Sequence, residues 1–292
     1  MKYRVLYRGP LSSCNYSCSY CPFAKHAETY NQLAGDRTAL DRFTQWLAQQ
    51  TDCRFGVLFT PWGEALIRPW YQDALCFLSQ LAHVERVAIQ TNLSCKLDWV
   101  DRCRIERLAL WATYHPTQVS RAAFLAKVRQ LTQRGVRLSV GVVGLREHFE
   151  EIKCLRQEIP PDVYLWINAY KRDADYYVDE HLHRLTAIDP LFPISNQNHH
   201  SLGEPCAAGE TSFTVDGDGN IRRCHFVQEP IGSIHEPAWR SCLRPRRCPN
   251  ATCGCYIGFV NLQRLRLETY FGDGVLERIP LPARLRQPDC PV

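Results

Sequence analysis

The stretch CNYSCSYC, residues 14–21, puts three thiols, Cys14, Cys18 and Cys21, into eight residues. Clustered thiolates suit metal ligation, and their number decides what they can hold. A structural zinc ion takes four ligands, and a cubane iron–sulfur cluster takes four thiolates, one per iron. Three thiols in one loop leave a coordination position open, where an iron can accept a small molecule as its fourth ligand. The competing arrangement is a zinc knuckle completed by His26 or by a remote thiol. A second group lies downstream: Cys206, Cys224, Cys242, Cys248, Cys253 and Cys255. These thiols exceed the four of one cubane and fall short of the eight of two. Cys290 would raise the count, but it stands far down the C-terminal tail.

The rest of the chain must position these thiols. Its 292 residues, 45% hydrophobic and 22% charged, are enough to bury a full core in one large domain, or in one domain plus an appendage. The net charge of +5 argues neither for nor against a nucleic-acid partner, and none is expected. The opening stretch MKYRVLYRGPLSS is too short and too interrupted by Lys2, Arg4 and Arg8 to be a signal sequence. No later run approaches the ~20 apolar residues of a membrane span. The expectation is a cytoplasmic protein without a membrane partner, whose clustered cysteines among an odd total of 15 are metal ligands rather than disulfides. Cys53, Cys76, Cys95, Cys103 and Cys154 fall in helical or strand segments and read as small buried hydrophobes.

Apolar, β-branched runs at 4–8, 55–59, 86–91, 107–114, 136–143 and 163–170 read as strands. Between them lie amphipathic stretches such as TALDRFTQWLAQQ and RAAFLAKVRQLTQRG, the second closed by Gly135. Repeated βα units imply a parallel sheet, open or curled into a full or partial barrel. A proline-broken polar stretch at 186–205 marks a boundary. Beyond it TSFTVDGDGNIRRCHF reads as a hairpin, with a strand at 211–215, a turn at DGDGN and a second strand from Ile221.

Cys14-x3-Cys18-x2-Cys21, with Tyr20 before the last thiol and the first strand just upstream, resembles the signature loop of the radical S-adenosylmethionine (SAM) superfamily. The resemblance implies an α/β fold, a partial (β/α)6 TIM-like barrel, with a 4Fe-4S cluster on the three thiolates. It implies SAM bound through its amino and carboxylate groups to the fourth iron, and a flavodoxin- or ferredoxin-type electron donor. One-electron cleavage of SAM would yield methionine and a 5′-deoxyadenosyl radical that takes a hydrogen atom from the substrate.

Other segments resemble the SAM contacts of that family. Gly63-Glu64 stands where relatives carry a Gly-Gly-Glu turn that receives the SAM amino group, with Trp62 in place of the first Gly. QTN at 90–92 is similar to the family's TNG, with Asn92 retained and Leu93 replacing Gly. Thr113 and His115 stand where relatives face the ribose hydroxyls. Val142 and Gly144, in Val140-x-Val142-x-Gly144-x-x-Glu147, resemble the adenine-contact motif, with Val142 offering the apolar face. Strand 164–168 is either a second wall or ordinary core. The plain alternatives are a solvated Glu64 at a helix start, Thr113 packed in a strand and His115 on a turn.

Cys206, twelve residues, Gly219, four residues and Cys224 resemble the opening of a SPASM or twitch domain, although the later cysteines depart from the usual spacing. The expected organisation is a barrel at 1–200, a small cysteine-rich twitch-like β-hairpin domain at 201–262 and a C-terminal tail at 263–292. One auxiliary 4Fe-4S cluster is expected on Cys206, Cys224 and two of the other four thiols, with a four-thiolate zinc site as the alternative. The basic run RSCLRPRRC would stabilise a reduced cluster, meet an anionic substrate or simply be solvated. The function expected is an oxidative modification of a small molecule or peptide. The first strand starts almost at Met1, which leaves no room for an N-terminal leader-binding domain and favours a small molecule or a short peptide. The rival readings are a non-catalytic iron–sulfur electron carrier and a zinc-stabilised nucleic-acid-binding module.

Overall fold

The computed structural model describes residues 1–23 and 26–282. Strict alternation of side chains builds its sheet. Strands β1 (Lys2–Arg8), β2 (Arg54–Phe59), β3 (Val84–Thr91), β4 (Leu108–Tyr114), β5 (Arg137–Val143) and β6 (Leu165–Asn168) are parallel neighbours in that order. Tyr3, Val5 and Tyr7 of β1, Val57 of β2, Ile89 of β3 and Leu110 of β4 join the core beneath the helices. Leu6, Leu58, Ala88 and Trp111, one residue out of phase, join a second core on the inner face. Burial on both faces explains why these strands read as nearly continuous apolar runs.

The crossovers are held by local chemistry. Helix α1 (Tyr30–Gln49) starts upstream of the amphipathic stretch because Thr29 and Gln32 form a reciprocal capping box. Helix α2 (Pro69–Gln80) begins on a proline, whose missing N–H costs nothing in the first turn. Ser120 caps α3 (Arg121–Gln133), accepting from Ala123 N at 3.3 Å, and Gly135 follows its end at φ 75°. Helix α4 (Phe149–Glu158) leads into β6, and α5 (Asp179–Ile188) follows it.

The hairpin joins the same sheet. Strand β7 (Ser212–Asp216) pairs in parallel with β1, β8 (Asn220–Arg222) pairs antiparallel with β7, and β9 (Pro230–Ser233) closes that edge. The result is one nine-stranded sheet of order β9-β8-β7-β1-β2-β3-β4-β5-β6. The turn is held by Asp216 Oδ1, which accepts from Asp218 N and Asn220 N, and by Gly219 at φ 83°. Residues 263–282, expected as a tail, instead fold back under the sheet. Leu267, Tyr270, Phe271, Val275 and Leu276 pack with Leu6, Leu58, Trp111 and Trp166 and plug the inner face. Their short helical turns, such as Glu268–Phe271, carry no readable period. Cys290 lies outside the described residues. Among the described residues no helix is long and apolar enough to cross a membrane.

Gly141 is required by this inner packing, since a Cβ there would lie 1.9 Å from the Trp166 ring. Gly141→Ala is expected to cost about 1–3 kcal/mol, the range for overpacking. Urea unfolding followed by circular dichroism checks this, and a wild-type midpoint would show that the ring has room to move.

Candidate active site

Strand ends and their loops surround a cavity of about 1450 Å³. The loop after β1 carries Cys14, Cys18 and Cys21, and all three line this cavity. Two carboxylates, Asp36 buried and Glu28 half-buried, hold the loop. Asp36 accepts from Leu11 N at 3.1 Å, Trp70 Nε1 at 2.8 Å and Tyr71 OH at 3.0 Å. Glu28 accepts from Ser12 N at 3.0 Å and from the Ser13 hydroxyl. Neither carboxylate was singled out in the sequence. A short polar residue and an acid beside a helix start look like ordinary capping there.

Burial pushes the Cys14 and Cys18 thiols up. Glu64 and Cys21 add to this at Cys14, and Cys21 and Cys14 add to it at Cys18. Backbone N–H groups point at the sulfurs, Tyr16 N at Cys14 Sγ and Phe23 N at Cys21 Sγ, each at 3.4 Å. Three clustered thiols, Cys18 buried and Cys14 and Cys21 half-buried, with N–H donors aimed at Cys14 and Cys21, are suited to a cationic metal core that would hold them as thiolates. The donor set therefore fits an iron–sulfur cluster with three protein ligands. His26, the alternative fourth ligand of a zinc knuckle, bonds Ser12 Oγ at 2.8 Å. Among the described residues no three Cys, His, Asp or Glu side chains are drawn together as the ligands of a single metal ion.

Glu64 is buried, which removes the alternative of a solvated carboxylate. Oε1 accepts from Leu66 N at 2.9 Å and Thr91 Oγ1 at 2.8 Å, and Oε2 accepts from Asn92 N at 2.5 Å. Burial pushes its carboxyl up to about 7 despite these donors. Asn92 in turn donates to Asn15 Oδ1 at 3.1 Å and approaches Cys14 Sγ at 3.8 Å. Gly63 has no room for a side chain, since a Cβ would fall 1.7 Å from Ser13 O. Trp62 is tolerated because it faces the cavity, under the Arg8 guanidinium at 4.1 Å and beside Phe23 and His225. Leu93 adopts φ 56°, the backbone a glycine would take. That conformation costs roughly 1–2 kcal/mol, and burial of the leucine side chain, worth about 1.5–3 kcal/mol, offsets it.

Thr113, Tyr20 and His115 line the cavity. The His115 Nδ1 meets Tyr20 OH at 2.8 Å and Cys18 Sγ at 3.4 Å, and burial lowers the imidazole to about 4, so it is neutral. Val142 is a correction. It is fully buried in the core beneath the helices, whereas Val143, one residue on and therefore on the opposite face, lines the cavity. Gly144 lies under Tyr177, whose hydroxyl donates to Gly144 O at 2.7 Å and would meet a Cβ there.

The second cysteine group divides. Short ladders pair Pro205–Cys206 with Arg246–Arg247 and Thr252–Cys253 with His199–His200. Cys248 N bonds Glu204 O at 3.1 Å. This brings Cys206, Cys224, Cys248 and Cys253 into one neighbourhood. Burial pushes Cys224 up to about 11, with Cys206 and Cys248 adding to it. Burial likewise pushes Cys253 up to about 12, and Cys224, Cys248, Cys255 and Cys206 contribute. Cys242 stands apart, its Sγ turned to Trp239 O at 3.0 Å and packed against Gly232. Cys255 turns into the central cavity, among Arg8, Lys171 and Arg278. The basic run mostly staples loops: Arg246 donates to Gly209 O and Cys242 O, and Arg247 to Gly203 O. The cation acting on the Cys206 thiol is Arg223. Cys53, Cys76, Cys95 and Cys103 are buried, while Cys154 is half-buried. Cys76 and Cys103 face each other with their sulfurs 2.8 Å apart.

No family model and no curated protein matches the sequence. Solved structures do. The chain superposes on anSMEcpe with bound AdoMet and the Kp18Cys peptide with a TM-score of 0.57 at 10% identity, over 84% of this chain and 81% of that one. Native anSMEcpe with bound AdoMet gives 0.54 at 13%, over 80% and 78%. SuiB from Streptococcus suis gives 0.54 at 13%, over 82% of this chain and 65% of its own length, a little under two thirds. At such identities the likeness is one of architecture: the chain shares the fold of these solved structures.

Gly63→Ala is expected to push the Ser13 carbonyl away and loosen the cysteine loop, speeding protease cleavage between residues 11 and 27. Trp62→Ala should leave the loop in place. Limited proteolysis with mass spectrometry reads both, and equal rates for the two would show that the close approach is not what holds the loop.

Proposed function

We propose that this protein is a radical SAM enzyme that abstracts a hydrogen atom from a small-molecule or peptide substrate in an oxidative modification. The observation that carries the reading is the convergence of Cys14, Cys18 and Cys21 with buried Glu64 and Asn92 on one wall of the cavity. The three thiolates would hold a 4Fe-4S cluster, which with SAM bound supplies one-electron cleavage of the sulfonium to methionine and a 5′-deoxyadenosyl radical. Glu64 would accept from the SAM amino group, and its three protein donors fix the carboxylate for that contact. Thr113 and the neutral His115 would face the ribose, with Tyr20 orienting the imidazole. Val143 takes the place beside the adenine that Val142 was expected to fill. The aromatic walls exclude water from the reacting atoms.

Cys206, Cys224, Cys248 and Cys253 would hold one auxiliary 4Fe-4S cluster in a twitch-like segment, and such a cluster would supply an acceptor for the electron left on the substrate after hydrogen abstraction. Cys242 and Cys255 are not among them. A peptide substrate is supported by the similar fold of anSMEcpe, which has been captured with peptides. The electron donor is a flavodoxin- or ferredoxin-type protein, and the setting is the cytoplasm.

Anaerobically reconstituted, reduced protein is expected to convert SAM to 5′-deoxyadenosine, and Cys14→Ala, Cys18→Ala or Cys21→Ala to abolish this. Iron analysis should give about eight irons per chain, falling to about four in Cys224→Ala or Cys253→Ala and unchanged in Cys242→Ala. A colourless zinc protein, or no 5′-deoxyadenosine from the reconstituted wild type, would sink the reading.

Glu64 makes SAM binding dependent on pH. Its carboxyl, raised to about 7, is largely protonated at pH 6, and only the carboxylate accepts from the amino group. SAM affinity should therefore rise about tenfold from pH 6 to pH 8, with a proton released on binding near neutrality. Calorimetry in buffers of different ionisation enthalpy measures both. Glu64→Gln should remove this component of the pH dependence.

A further inference from the structure

At the end of the cavity closed by the C-terminal plug, Arg278 is 1% exposed and lines the cavity. Among the described residues its guanidinium has no hydrogen bond and no ion pair, and its Nε is buried without a partner. Three aromatic faces surround it: Tyr256 at 4.5 Å, Trp166 at 4.7 Å and Trp111 at 5.9 Å. Nearby carboxylates are committed elsewhere. Glu277, the preceding residue, turns the other way to Arg137 at 2.9 Å and Arg86 at 3.4 Å. Asp189 acts on Arg278 only at longer range, its oxygens held by Tyr164 OH at 2.5 Å, Ile167 N at 2.7 Å and Leu191 N at 3.0 Å.

A buried charge without a counter-ion is expensive, and cation–π contacts cover only part of the cost. A guanidinium also offers five N–H donors in a rigid planar fork that matches a carboxylate or phosphate with two parallel bonds. The surroundings reinforce the sign. Arg8 and Lys171 line the same cavity, and Lys171 gives its donors to Ser195 O, Gln197 O and Gly254 O, so it contributes charge without competing for a ligand. We infer that Arg278 is the receptor for an anionic group, a carboxylate or a phosphate, on the substrate. The aromatic rings hold the fork flat and aim it up the cavity. That the ligand is a substrate rests on the enzymatic reading above; that the site takes an anion does not.

The test titrates reconstituted protein with inorganic phosphate and, separately, with acetate, following the Arg278 Nε–H resonance by NMR and heat by calorimetry. Saturable binding that shifts this resonance is expected for one of the two, which separates a phosphorylated substrate from a carboxylate. Arg278→Gln should weaken that binding at least tenfold. Arg278→Lys, which keeps the charge and loses the fork, should weaken it severalfold. An unshifted resonance in the wild type, or undiminished binding in a folded Gln variant, overturns the inference. So does competition of the anion with SAM together with a tenfold loss of SAM affinity in Arg278→Gln, which would give the arginine to SAM. Anion binding at Arg278 without 5′-deoxyadenosine formation refutes the enzymatic reading and leaves the receptor standing. Formation of 5′-deoxyadenosine without anion binding does the reverse.

Discussion

One buried carboxylate holds together the loops at the ends of the first three strands. Glu64 sits in the loop after β2, yet two of its bonds go to Thr91 and Asn92 at the end of β3, and its own N–H donates to Ser13 O in the cysteine loop after β1. Three loops that share no local sequence are thereby fixed relative to one another. The bare backbone of Gly63 lets the second loop come close enough to the first for this to happen. Remove that approach and the thiols lose the platform that orients them.

The same cavity is finished from below by the C-terminal segment. A sheet with apolar residues on both faces needs a cover on each side, and the helices cover only one. Residues 256–281 supply the other, and the plug that satisfies the hydrophobic demand also carries Arg278 and Tyr256 into the space above it. Stability and the chemical character of the cavity floor are therefore set by one stretch of chain. The hairpin is integrated in a similar way: by pairing with β1 it places Cys224 beside the main sheet and not on a detached module.

Charges of both signs line the cavity, Asp216 and Asp218 among them. Glu64 and Glu28 hold the cysteine loop, while Arg8, Lys171 and Arg278 act together on Cys255. The proposed roles use these two groups, with a cationic cofactor beside Glu64 and an anionic substrate group against the Arg278 guanidinium. Cys255 faces the cationic side, while Cys206, Cys224, Cys248 and Cys253 lie together outside it.

Local periodicity and short-range spacing were enough to locate the six parallel strands, the hairpin turn at Asp216 to Asn220 and the three-thiol loop, because each is dictated by neighbours a few residues away. Gly63 was legible as a glycine needed at a turn, though the reason, the Ser13 carbonyl against it, was not. Which face of β5 meets the cavity came out one residue wrong at Val142, since a strand buried on both sides gives no contrast to set its phase. Leu93 in a glycine's conformation, the buried state of Glu64, and the division of the second cysteine group all depend on contacts between distant segments. So does the plug formed by residues 256–281. Sequence alone determined which chemistries the chain carries, since residue type and spacing set donors and charge. Only the tertiary structure decided which of those groups share a cavity and which charges are left without partners, because that is settled by long-range packing and desolvation.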